Sequence, residues 1–148
     1  MKKMILVALV ICAMAFDMQA QTKYKVITIV ESIVPGGAGR SRMIEEKSAI
    51  DVDEFTTDRT DGKKSKQRDV KRGDAKVDLF AETKLLNFYS LVGINFQNVA
   101  SNDALISSKL NKMTKEGWEL KFVTSAVESD AGKNDGKGIF ITRMIFSK

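Results

Sequence analysis

The chain has 148 residues, with 24 Lys and Arg against 19 Asp and Glu, a net charge of +5, no histidine and one cysteine. Without histidine there is no imidazole base, no Ser-His-Asp triad and no histidine metal ligand. One cysteine can form neither an internal disulfide nor a thiolate zinc site. Any catalysis would have to rest on carboxylates, lysine or arginine.

Lys2 and Lys3 precede an apolar run from Met4 to Ala15. A basic start and an apolar stretch too short to span a bilayer comfortably predict a secretory signal peptide over residues 1–20. Cleavage is expected after Ala20, with Ala15 as the alternative. Cys12 leaves with this segment, and Ile11 stands where a lipoprotein signal needs a small residue. The mature chain, residues 21–148, is expected to be exported to the periplasm or beyond as a single domain. It would carry no transmembrane helix and no disulfide, and its core alone would hold it together.

Tyr24 to Val34 is β-branched and nearly uncharged, which predicts a central strand apolar on both faces. Pro35-Gly-Gly-Ala-Gly39 ends it, and Arg40 to Glu46 is expected to return as the second strand of a hairpin. Free amides in Gly36–Gly39 beside Arg40 and Arg42 could cradle a phosphate, sulfate or carboxylate. The plainer reading is a glycine turn with two solvated arginines. Asp51-Val-Asp-Glu54 places carboxylates at alternate positions, on one face if this stretch is a strand. Glu45, Glu46, Asp51 and Asp53 are the carboxylates from which a hydrolytic pair would have to be drawn, but no pattern sets two of them across a cleft.

From about Asp53 to Asp78 apolar residues nearly vanish. Between Arg59 and Lys76, eight Lys or Arg face three Asp, a composition that buries too little to offset ordering entropy. A mobile charged insertion is expected around 53–78. Its Lys63, Lys64, Lys66, Lys71 and Arg72 are candidate contacts for an anionic polysaccharide or another envelope protein, against the plainer reading of a solvated loop. No aromatics interleave with these cations, so nucleic acid is not an expected partner.

Asp78 to Val99 is apolar again, through Phe80, Leu85, Phe88, Leu91, Ile94 and Phe96, but Gly93 and several asparagines leave helix and strand both open. Next, Ile106, Leu110 and Met113 share one helical face, behind Asn102 and Asp103 as expected N-caps. Lys112 and Lys115 suit the C-terminal end of that helix, and Gly117 suits its C′ position. Trp118, Leu120 and Phe122 alternate with Glu119 and Lys121, predicting a strand whose apolar face packs on Ile106, Leu110 and Met113. The stretch Asp130 to Gly138 has EF-hand flavour. Its glycine is one place late, however, and Ile141 stands where the bidentate Glu belongs. Asn134-Asp-Gly136 is better explained as a turn. Gly138 to Phe146 predicts a closing antiparallel strand. No cofactor or metal is implied.

Three segments carry a resemblance: Tyr24-Lys-Val-Ile, Leu110-Asn-x-Met-x-x-Glu-Gly-Trp-Glu-Leu120, and Ile139-Phe-Ile-Thr-Arg-Met-Ile-Phe146. Together they resemble the bacterial domain of unknown function 4177, over the first strand and the last third of the chain. The resemblance implies a compact β-α-β-β unit with the Gly-Trp-Glu-Leu corner between helix and sheet, and Pro35 to Val99 as an insertion. The stretches Val34 to Met43 and Leu86 to Phe96 look like those of an exported subgroup. The family brings no established activity, so it implies a fold and no site residue. The expected class is α+β, a small, mostly antiparallel sheet with one main helix on one face. The expected role is a non-catalytic binding or interaction module of the cell envelope. The alternative is a small enzyme or enzyme inhibitor using carboxylates or Arg40 and Arg42.

Overall fold

The computed structural model describes residues 22–33, 41–128 and 138–148. The expected signal peptide (residues 1–20), Arg40 with the glycine turn expected before it, and the turn expected at Asn134–Gly136 lie outside the described residues. In chain order the strands are β1 (Tyr24–Ser32), β2 (Arg42–Glu46), β3 (Phe80–Lys84), β4 (Tyr89–Ser90) and β5 (Gly93–Ile94). The main helix α1 (Phe96–Lys115) follows, then β6 (Glu119–Glu128) and β7 (Ile139–Ser147). Five of the strands form one sheet in the order β3-β2-β1-β7-β6, and each neighbouring pair is antiparallel. The architecture is α+β, as expected, with strands predominating. Between β1 and α1 the chain adds two strands, β2 and β3, to one side of the sheet.

Alternation along β1 sets the core. Ile27 and Ile29 are buried, and Ile27 lies opposite Met144 of β7 while Ile29 lies opposite Met43 of β2. Opposed residues share a sheet face. That face holds Ile27, Ile29, Met43, Met144 and Phe146, and Met113 of α1 and Leu85 complete the buried cluster. Ile106, Leu110 and Trp118 pack against it, half-buried. The other face carries Tyr24, Val26 and Phe122, all exposed.

The helix begins earlier than its apolar spacing implies. Its N-cap is Asn95, whose Oδ1 accepts the Asn98 amide at 3.2 Å, not Asn102 or Asp103. The inward stripe continues back from Ile106 through Asn102 and Asn98, at steps of four, so its first turns face the protein with amides instead of hydrocarbon. Asn102 is fully buried and binds the Leu86 backbone on both sides. It accepts the Leu86 N–H and donates to the Leu86 carbonyl, each at 2.8 Å, and also donates to Glu31 Oε1 at 3.0 Å. Asn98 donates to the Asn87 carbonyl at 2.8 Å. This asparagine ladder ties the chain between β3 and β4 onto the helix.

At the other end Gly117 takes φ +83°. Its N–H reaches the Thr114 carbonyl at 2.9 Å and the Trp118 N–H reaches the Met113 carbonyl at 3.0 Å, the paired bonds of a Schellman stop. The expected corner is therefore present, but the strand beyond it departs from the expected pattern. Trp118 packs on the core, whereas Leu120 is 41% and Phe122 60% exposed. The cause is a β-bulge. Leu120 opposes Phe146 while Phe122 already opposes Ile145, so Lys121 is an extra residue. One extra residue moves Phe122 to the sheet face away from the helix. Leu120 stays on the helix face, on the edge strand.

Residues 47–79 are irregular apart from two 3-10 turns, Val52–Phe55 and Gln67–Asp69. Asp51 caps the first turn by accepting the Asp53 N–H, so Asp51, Asp53 and Glu54 are not ranged along a strand. The neck is closed where Lys47 N–H meets the Leu79 carbonyl at 2.9 Å and Leu79 N–H meets Ser48 Oγ at 3.2 Å. Within the loop the Gln67 side-chain amide donates to Thr57 Oγ1 at 2.9 Å.

Candidate interaction surface

Of the basic residues singled out above, Arg42 lies on the sheet face away from the helix, and its guanidinium pairs with Glu82 of β3 at 2.5 Å. Lys63, Lys64, Lys66, Lys71 and Arg72 are all exposed on the irregular segment. Arg40 lies outside the described residues. The helix face of the sheet holds a different group of cations. Glu45 of β2 accepts from Lys25 at 3.0 Å and from Lys47 at 2.9 Å on Oε1, and from Lys109 of α1 at 2.6 Å on Oε2. Lys25 also sits 5.2 Å above the Trp118 ring, a cation–π arrangement. Burial of the carboxylate by itself would raise its pKa. The hydrogen bonds from Lys109, Lys47 and Lys25 outweigh that and bring it down to about 2. Glu45 is thereby held as an anion and is unsuited to the role of general acid in a hydrolytic pair. The cluster joins β1, β2, α1 and the corner at the end of the core.

This cluster was not anticipated from the sequence, although it left a trace there. Lys25 occupies an inward position in the Lys25-x-Ile27-x-Ile29 alternation, and Glu45 does the same after Met43. Polar side chains at core-facing strand positions need partners, but those partners are 20 and 64 positions apart in the chain.

The open surface is at the other side of the sheet. β6 pairs only with β7 among the described residues, so its far edge presents unpaired N–H and C=O groups along ten residues. Leu120, Phe122, Val123 and Val127 are exposed on it. Its charges, Glu119, Lys121 and Glu128, stand at the two ends, leaving Phe122-Val-Thr-Ser-Ala-Val127 uncharged. Natural edge strands are usually short or blunted by charge, proline or a bulge. Among the described residues the only such device besides the end charges is the bulge at Lys121. Phe122, Thr124 and Ala126 lie on one face of the strand and Val123, Ser125 and Val127 on the other, opposite β7 residues of the same faces.

The chain matches no family model, no curated protein and no solved structure.

Proposed function

We propose that the protein is a non-catalytic interaction module that binds an extended segment of a partner protein by adding it as a strand to β6. The observation that carries this reading is the uncharged run Phe122 to Val127 on a free sheet edge. In strand addition the backbone supplies affinity and alternate side chains supply selectivity. The predicted segment therefore has apolar residues at every second position, to lie beside Phe122 on one face or Val123 and Val127 on the other. Export makes an envelope protein the natural partner class. Kinship with domain of unknown function 4177 is proposed alongside, supported by the Gly117-Trp118 corner.

Selection of extended peptides from a random library against the protein tests the proposal. Selected peptides should protect the outward amides of β6 from hydrogen exchange. Their affinity should fall at least about tenfold in a Val123→Lys/Val127→Lys variant of unchanged circular dichroism, because charges on an edge oppose pairing. Peptides that bind wild type and variant alike would place recognition elsewhere and sink the strand-addition reading.

A further inference from the structure

The β4–β5 hairpin has its apolar side chains where a water-exposed turn usually has polar ones. Its tip is Leu91-Val92, 88% and 98% exposed, and Ile94 and Phe96 just beyond are also exposed. Turn positions normally hold Gly, Asn, Asp, Ser or Pro. No charged residue occurs from Leu85 to Asn102. The hairpin is also firmly based. Phe88 N–H bonds to the Ser32 carbonyl at 3.2 Å, Asn95 N–H to the Phe88 carbonyl at 2.8 Å, and the Phe88 ring lies 5.9 Å from that of Phe140. At the tip Ser90 Oγ accepts the Val92 N–H at 3.3 Å and donates to the Gly93 carbonyl at 3.2 Å. Gly93 supplies the left-handed backbone at φ +121°.

We propose that this hairpin is a membrane-contacting tip, with Leu91 and Val92 entering the boundary between headgroups and acyl chains of a lipid bilayer. Three features favour lipid over a protein groove. The tip is convex and offers on the order of a few hundred Å², whereas each partner in a stable protein interface buries roughly 800 Å². The hairpin carries no charged residue of its own, so it brings into that layer none of the groups most costly to place there. The side chain of Ser90 takes up a turn N–H and a turn carbonyl, which in a medium poor in water would otherwise lack partners. Two aliphatic side chains give weak, reversible attachment, less than that of a single acyl anchor and far short of permanent insertion. The contact is independent of strand addition at β6.

Vesicle flotation with the mature chain, residues 21–148, tests the proposal, using phosphatidylcholine alone and phosphatidylcholine mixed with phosphatidylglycerol. Wild type should partition onto both. Leu91→Asp/Val92→Asp, whose native side chains touch almost nothing in the fold, should lose partitioning by about tenfold or more. A Val92→Trp variant should shift its emission to the blue on adding vesicles and be quenched by lipids brominated in the acyl chain, with wild type reporting Trp118 alone. Absence of wild-type partitioning, unchanged partitioning of the double variant, or an unshifted Val92→Trp spectrum would overturn the proposal. Binding confined to the anionic vesicles would also overturn it, by assigning the contact to the basic residues of 59–76.

Discussion

Asn102 shows how much of this fold one polar side chain can organise. Its amide occupies the Leu86 backbone as a neighbouring strand would, with one bond in each direction, and its remaining N–H reaches Glu31. Because the residue is fully buried, water cannot readily replace those bonds when the side chain is cut back. Asn102→Ala would leave a backbone donor and a backbone acceptor unpaired, which should cost about 3 kcal/mol and appear as a lower urea midpoint. Asn102→Asp separates hydrogen bonding from packing. It keeps the acceptor for Leu86 N–H, loses both donors and sets a carboxylate against Glu31. It should be at least as destabilising as the alanine variant at neutral pH and recover part of that loss on acidification. Equal midpoints for wild type and Asn102→Ala would mean that the segment from Leu85 to Phe88 is held by other contacts.

At the level of elements, the corner after α1 rests on a glycine in the left-handed region with φ +83°. A Cβ at Gly117 would stand 3.4 Å from Lys148 Cε, in ordinary contact, so the cost of Gly117→Ala lies in the backbone. It should be about 1–2 kcal/mol, with faster hydrogen exchange confined to the last turn of α1 and the start of β6. A neutral result would mean that the last turn unwinds at little cost. This corner was legible in the sequence because two local signals agree there, the Ile106, Leu110 and Met113 spacing and the glycine that follows. The first turns of the same helix were illegible because their inward stripe is made of Asn98 and Asn102, which read as solvent-facing or capping residues until Leu86 and Asn87 are known to lie beneath them. The outward turn of Phe122 escaped for another reason. A bulge at Lys121 leaves no mark in residue type, yet it reverses the face of every position after it. The open β6 edge depends on strand order, a non-local fact, and the apolar hairpin tip was visible in Leu91 and Val92 only as part of an unassigned apolar run.

For the molecule as a whole, two carboxylates on the helix face of the sheet should give stability opposite dependences on pH. Burial raises the pKa of Glu31 above its ordinary value of 4.5, and the nearby Asp103 adds to this, while the hydrogen bond from Asn102 offsets part of it. Its folded form holds the proton more tightly than the unfolded chain, so the penalty of the buried charge is fully present above the folded pKa. That penalty is relieved as pH falls toward 4.5. Glu45 behaves in the reverse sense. With its folded pKa lowered to about 2, it contributes stability above 4.5 that is lost as pH falls from there to about 2, amounting to roughly 3 kcal/mol. The two effects together predict a stability maximum on the mildly acidic side of neutrality, followed by a steep decline below pH 4.5. Urea midpoints across this range provide the check, and two variants separate the contributions. Glu31→Gln should raise stability at neutral pH and flatten the upper arm. Glu45→Gln should lower neutral stability, leaving three ammonium groups around an uncharged amide, and should remove most of the decline below 4.5. A wild-type profile that keeps rising to neutral pH would show that the Glu31 carboxylate is well solvated. A decline that persists unchanged in Glu45→Gln would assign acid unfolding to other carboxylates and reduce the lysine cluster to a surface feature.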